Sequence, residues 1–339
     1  MPIDLRPLAA AVPDAVVERL RDARQVLAIG HENPDADALG AALAIGMLTE
    51  ALGGRATVAA ADAVPDLYRF LDANDTVRTD PEPDVKYDLI VLCDCGDLSR
   101  VGAIRERNAA LFASTPLLTL DHHASNGASG DLAWIDPGAA ATCEMVALLA
   151  ARLGVPLAAA EGRLAAALTA GIVMDTATFA HPNATPRTLQ VAAALVEAGA
   201  PLSEISRRLY RTKPDAQLAL FGRVLGRLQS HADGLVIAST IELADLVATG
   251  ALPDHSEGII DLLAQSETAE VALVLKQKED ATRLSVRTKP GGVDAIALCG
   301  IWGGGGHARA AGASLGLPLA EAMAAVLPEA IRLARAVAR

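Results

Sequence analysis

Aromatic side chains are scarce in this 339-residue chain, at 3%. Its cores must therefore be built from Ala, Val, Leu and Ile. Cysteine is nearly missing too: Cys93, Cys95, Cys143 and Cys299 are the whole set. Four in so long a chain make no disulfide framework. Cys93-x-Cys95 has the spacing of a metal or redox pair, but it reads better as two small residues ending a buried strand in a reducing compartment. A positive balance is also lacking. A formal net charge of -12 argues against a broad basic surface that coats long nucleic acid. It leaves room for a small anionic substrate, because bound divalent cations reverse the local field in a cleft. The first residues carry Asp4, Arg6, Asp14 and Glu18 in place of a basic segment and an apolar core, and the longer Ala-rich runs are broken by charges or Gly. Neither a signal peptide nor a membrane span is expected, and the expected location is the cytoplasm.

What the chain does have is a dense acidic turn, Gly30-His31-Glu32-Asn33-Pro34-Asp35-Ala36-Asp37-Ala38-Leu39-Gly40. It follows Val26–Ile29, a short apolar run that reads as a buried strand. It precedes Ala41–Leu52, which is apolar and rich in helix formers. His31, Asp35 and Asp37 are thus expected on a strand-to-helix turn, where open α/β sheets bind ligands. His31, Asp35 and Asp37, all within seven residues, are a compact set of metal donors. An ordinary turn with Asp37 as helix cap and Pro34 at the bend accounts for one Asp only.

The same ending recurs. Asp88–Asp94 is a strand-length apolar run that stops in Asp94, with Gly96 and Asp97 beyond it. Leu117–Leu120 is another, and it stops in Asp121-His122-His123. Near-continuous apolar runs suit parallel strands buried on both faces. If the three runs are parallel neighbours, their polar ends converge on one edge of the sheet. Glu161–Met174 reads as an apolar helix leading into Asp175. A carboxylate at a helix C-terminus opposes the helix dipole, a cost that a nearby cation would offset.

Other expected helices are Asp14–Arg24, with Val16, Val17 and Leu20 inward, and Pro65–Leu71, with Leu67, Phe70 and Leu71 on one face. Ala140–Leu153 and Pro186–Ala198 are expected helices that stop at Gly154 and Gly199. Ala56–Ala60 reads as a strand. Leu202–Gln229 reads as a long helical connector carrying Arg207, Arg208, Arg211 and Lys213. From Gly234 the pattern changes to strands at Leu235–Thr240, Glu270–Gln277 and Thr282–Thr288. A glycine run, Gly303 to Gly306, reads as a loop before His307, and Ala320–Ala338 as a closing helix. The fold class is α/β, and the length suffices for two cores.

Five motifs now stand in order: His31-Glu-Asn-Pro-Asp-Ala-Asp-Ala-Leu-Gly40, Asp94-Cys-Gly-Asp97, Asp121-His122-His123, Gly171-Ile-Val-Met-Asp175-Thr176 and Gly303-Gly-Gly-Gly-His307. Together they resemble the DHH phosphoesterase superfamily, in its subfamily with a DHHA1 domain. The likeness is strongest to the bacterial branch that degrades very short RNA and dephosphorylates 3′-phosphoadenosine 5′-phosphate (pAp). Ala36 and Ala41 stand where many relatives carry Gly and Ser. The resemblance implies a parallel-sheet DHH catalytic domain over 1–189, a helical connector over 190–232, and a smaller α/β DHHA1 substrate-binding domain over 233–339.

It also implies two divalent cations. One would take His31, Asp35 and Asp94; the second would take Asp37, Asp94, His122 and Asp175, with Asp94 bridging. Donors rich in oxygen and free of thiolate favour Mn²⁺, with Mg²⁺ as the alternative. His123 is the expected catalytic group beside the phosphate. Arg287, Ser285, Gly304, Gly305, Gly306 and His307 are the expected substrate contacts, the glycines letting backbone N–H groups approach an anion. The implied partner is a short oligonucleotide or nucleotide, with no long duplex and no membrane; a homodimer is left open. Competing readings are hydrolysis of cyclic di-AMP or its linear product, a single-strand DNA exonuclease, a pyrophosphatase, and a nucleotide-binding regulator with a dead site. The last would lack a metal donor, and none is missing.

Overall fold

The structure, a computed structural model, describes residues 3–71, 76–124 and 126–338. Its chain divides into two compact units, Met1–Thr212 and Lys213–Arg339. The division falls inside the stretch 190–232 expected to connect two domains.

The first unit is built on β1 (Gln25–Gly30), β2 (Arg55–Ala59), β3 (Val77–Arg78), β4 (Leu89–Cys93), β5 (Leu117–Asp121) and β6 (Leu132–Ile135). They form one parallel sheet in the order β3-β2-β1-β4-β5-β6. The three apolar runs are therefore adjacent strands. Gly30 pairs with Cys93, and Cys93 with Leu120, so their C-terminal ends lie in register. Alternate residues feed two cores. Val26, Ala28 and Val91 join one that includes the helices Ala36–Ala51 and Thr142–Leu153; Leu27, Ile29, Ile90 and Leu92 join another with Val101 and Ile104. This is the period of two that a strand imposes.

Small residues take the place of aromatics at the closest helix contact. The helix Ala36–Ala51 is buried nearly all round and packs on the helix Arg163–Asp175. A Cβ at Gly40 would stand 2.5 Å from the Ala167 carbonyl oxygen, and one at Gly171 would stand 2.4 Å from both Asp37 Oδ1 and Cys143 Sγ. Only glycine fits at either position without a shift.

The second unit holds β7 (Gln229–His231), β8 (Val236–Ile241), β9 (Val271–Gln277), β10 (Thr282–Thr288), β11 (Gly305–His307) and β12 (Ala310–Leu315). They form a mixed sheet in the order β11-β12-β10-β9-β8-β7, with β8 and β9 parallel and the other pairs antiparallel. The helix Leu319–Val337 supplies Ala322, Val326, Ala330 and Ala334 to the core under one face.

Several local expectations need correction. Leu202–Gln229 is not one helix: Leu202–Ser206 runs into a wider π turn, Arg207–Arg211, and a new helix, Asp215–Gly226, starts after Pro214. Proline lacks the N–H that would continue the first helix. Pro65–Leu71 forms only the 3₁₀ turn Asp66–Tyr68, where Tyr68 is buried and Leu67 exposed. The glycine run is not all loop, because Gly305 to His307 add an edge strand to β12.

Candidate metal centre

The turn after β1 places its donors by helix capping. Asp35 is the N-cap of the helix Ala36–Ala51: its Oδ1 accepts N–H from Asp37 and Ala38 at 2.9 and 3.0 Å. Asp37, the cap that an ordinary turn would use, is instead fully buried in the first turn. It caps a different helix, its two oxygens accepting N–H from Thr142 and Cys143 at 2.7 and 2.9 Å. Both carboxylates are thereby fixed by backbone donors. Ala36 keeps φ negative; the left-handed residue of this turn is Asn33, at φ 49°.

His31 is buried, and its Nδ1–H donates to the Glu32 carbonyl at 2.6 Å. A carbonyl can only accept, so in the neutral ring the lone pair sits on Nε2. Nε2 faces Asp35 Oδ2 at 3.7 Å and Asp94 Oδ2 at 3.6 Å. Asp94 follows β4 in the left-handed region, at φ 59°, a conformation that Asp tolerates better than most residues. Its other oxygen, Oδ1, lies 3.6 Å from His122 Nε2 and 3.4 Å from His123 Nδ1. One buried carboxylate thus turns an oxygen to each of two clusters.

The second cluster gathers Asp37, His122 and Asp175. His122 Nε2 is 3.1 Å from Asp175 Oδ2. Asp175 ends the helix Arg163–Asp175; Ala177, Thr178 and Phe179 follow with left-handed φ of 47, 59 and 63° and turn the chain away. Such a run is costly for non-glycine residues and marks local strain.

Charge explains what the cluster wants. Burial, with Asp175 and Asp94 close by, drives the Asp37 carboxyl well above the usual carboxylate range. Burial, with the negative charges of Asp94 and Asp35, raises Asp175 to about 6 despite its bond to His122. Burial pulls His122 down, but Asp175, Asp37 and Asp94 outweigh it and lift the imidazole to about 9. Crowded, desolvated carboxylates of this kind call for positive charge. Acceptor oxygens and imidazole nitrogens without thiolate fit a divalent cation of the Mn²⁺ or Mg²⁺ kind.

His123 is held differently. Asp121 Oδ1 accepts its backbone N–H at 3.0 Å and its Nδ1–H at 2.8 Å, while Asn126 Nδ2 donates to Asp121 Oδ2 at 2.6 Å. These bonds leave Nε2 free of the carboxylate and raise the imidazole to about 10 through Asp121 and Asp94, against burial.

All seven residues expected in the catalytic half therefore meet at the C-terminal edge of the first sheet. Sequence reasoning gave no role to Asp121, Asn126 or Thr142. Asp121 was in view as the first residue of a motif; Thr142, whose hydroxyl donates to Asp94 Oδ1 at 3.0 Å, carried no signal at all. Cys93, Cys95 and Cys143 are buried free thiols, pushed above their ordinary range chiefly by burial, so they are inert packing groups.

In the second unit, Ser285 and Arg287 lie on β10. Register puts Ser285, Gly312 and Gly305 in one row across the sheet and Arg287, Ala310 and His307 in the next row but one, on the same face. Arg287 Nε donates to Asp261 at 2.7 Å, and the Gly305–His307 edge is exposed. A Cβ at Gly304 would stand 2.3 Å from the Gly312 carbonyl oxygen, and one at Gly306 2.5 Å from that of Ala310. These two glycines are thus required by the close approach of the edge to β12.

Comparison with known proteins is consistent along the chain. Residues 25–172 match the pattern described as the DHH family, N-terminal domain, and residues 234–338 match the DHHA1 domain. A bifunctional oligoribonuclease and PAP phosphatase NrnA of Thermus thermophilus is 33% identical over 303 residues, covering 89% of this chain and 87% of that protein. Its Bacillus subtilis counterpart is 26% identical over 286 residues, covering 84% and 87%. Among solved structures, an exopolyphosphatase-related protein from Bacteroides fragilis superposes with a TM-score of 0.87 at 19% identity, covering 96% of this chain and 97% of that one.

Proposed function

The chain belongs to the DHH phosphoesterase family and carries its DHHA1 domain, and from that premise we propose that it hydrolyses very short RNA to mononucleotides and dephosphorylates pAp to AMP. The observation that carries the hydrolytic half is Asp94, whose two oxygens face separate Asp/His clusters. In this reading His31, Asp35 and Asp94 hold one divalent cation, and Asp37, Asp94, His122 and Asp175 hold a second, with Mn²⁺ favoured. Such a pair, when bound, supplies an activated water and neutralises charge on a phosphoester.

The remaining work falls to the chain itself. Asp121 and Asn126 hold the His123 ring so that Nε2–H is presented as a donor to a phosphate oxygen or to the leaving group. Arg287, with Ser285, the Gly304–Gly306 segment and His307, would hold the part of the substrate that is not cleaved. Arginine supplies a forked pair of donors and the glycine edge supplies backbone N–H groups. The names of the Thermus and Bacillus relatives support this choice of substrates. The net charge of -12 works against a long polyanion.

Turnover with Mn²⁺ should be compared on pAp, a ribodinucleotide, cyclic di-AMP and a single-stranded RNA of tens of nucleotides. Here kcat/KM is expected to be highest on pAp and the dinucleotide. A preference for cyclic di-AMP, or equal kcat/KM on the long strand, would replace this reading.

A further inference from the structure

A five-residue segment, Ala139 to Cys143, touches the donors of the proposed metal centre from behind. The Ala139 carbonyl faces His122 Nδ1 at 3.4 Å. Thr142 and Cys143 give their backbone N–H groups to the two oxygens of Asp37. The Thr142 hydroxyl donates to Asp94 Oδ1 at 3.0 Å, and Thr142 is fully buried. The segment is itself pinned: the Ala140 N–H donates to Glu144 Oε2 at 3.1 Å, and the Ala140 carbonyl accepts from Asn183 Nδ2 at 3.1 Å.

We propose that Thr142 is a positioning residue for cation binding: its hydroxyl fixes the rotation of the Asp94 carboxylate, so that one oxygen faces each cluster. The inference rests on the metal-holding reading above. Its physical basis is the crowding at Asp94. Oδ1 faces two imidazoles, and Oδ2 faces a third. The three imidazole nitrogens stand 3.4 to 3.6 Å from these oxygens, so a neutral donor at hydrogen-bond distance is what holds the rotation of the carboxylate. The Thr142 hydroxyl is such a donor; it carries no charge to repel a cation, and its backbone N–H ties the same residue to Asp37. A hydrogen-bond partner that orients a metal donor commonly sets affinity by roughly 10–100-fold.

The test is a Mn²⁺ titration of the whole chain without substrate, following free Mn²⁺ by electron paramagnetic resonance. The wild type is expected to bind two ions. Thr142→Val keeps the shape and removes the hydroxyl, and should weaken binding by roughly tenfold or more. Thr142→Ser should restore wild-type affinity, which a role in packing alone would not produce. Melting of the metal-free variants should stay close to wild type; if Thr142→Val does not fold, Thr142→Ala removes the same hydroxyl with less bulk and carries the same comparison. A Val or Ala variant that binds Mn²⁺ like the wild type overturns the role of Thr142 alone. A wild-type chain that binds no Mn²⁺ overturns the metal reading and this inference with it.

Discussion

Asp94 sits where three strands deliver their polar ends, and its backbone is left-handed. Asparagine tolerates that conformation as well as aspartate does, so Asp94→Asn removes charge without adding strain. The variant should lose turnover and retain less than two equivalents of Mn²⁺; near-normal kcat with full metal content would end the bridging assignment. Proton linkage makes a second prediction at this scale. A cation needs neutral His122, yet the metal-free fold holds that ring protonated up to about 9, against an ordinary value of 6.5. Stability from the charged ring is fully present below 6.5, and it is lost as pH rises through about 9. His123, raised to about 10, acts in the same direction. Asp175, raised to about 6, likewise costs the metal-free fold stability as pH rises from 3.8. Cation binding, which displaces the His122 proton, strengthens over the same range. The melting-temperature gap between Mn²⁺-loaded and metal-free protein should therefore widen between about pH 6 and 8.5; a gap that narrows would contradict the assignment of His122. The meeting of His31, Asp94 and His122 was legible in the sequence, because each follows an apolar run and parallel neighbours align their ends. Which of Asp35 and Asp37 caps the helix Ala36–Ala51 was not. Both can cap, and the choice depends on a helix more than 100 residues away, as the Thr142–Asp37 separation of 105 shows.

Among elements, the helices that carry Asp37 and Asp175 pack closely against each other. Gly171→Ala would drive a methyl group into Asp37 Oδ1 and Cys143 Sγ, both 2.4 Å from the new carbon. Overpacking of this kind costs roughly 1–3 kcal/mol, so the melting temperature should fall and Mn²⁺ affinity should fall with it. Unchanged stability together with unchanged Mn²⁺ binding would show that the helices can separate freely. Buried strands β1, β4 and β5 could be read from the chain because continuous apolar runs of strand length have few other uses. The strands β3, β6, β7 and β11 could not. They span four residues or fewer, too short to display a period, and β11 is largely glycine, which has no side chain to alternate. The 202–229 stretch misled for a related reason: its helical composition continues across Pro214, which ends one helix and opens the next.

The whole molecule carries separate cores in its two units, one set around the parallel sheet and the other around the mixed sheet. The proposed cation donors all belong to the first. A ligand stabilises only the fold that binds it, by about 2.7 kcal/mol at a hundredfold excess over Kd. Calorimetry should therefore resolve a transition that Mn²⁺ shifts upward and another that it leaves in place. Equal shifts of both would show that the units unfold as one. Among the described residues no helix is long and apolar enough to cross a membrane.

The donors that face one another at the edge of the first sheet come from His31 at one extreme and Asp175 at the other, with β4 and β5 between. During synthesis the early strands emerge with their carboxylates uncompensated, long before the last donor exists. A nascent chain thus has no complete cradle for a cation until the helix ending at Asp175 has left the ribosome and packed against the helix that begins at Ala36. On the proposed metal-holding reading, loading would be a late event, coupled to closure of that helix pair, and an interrupted chain would carry acidic strand ends with no cation to quiet them.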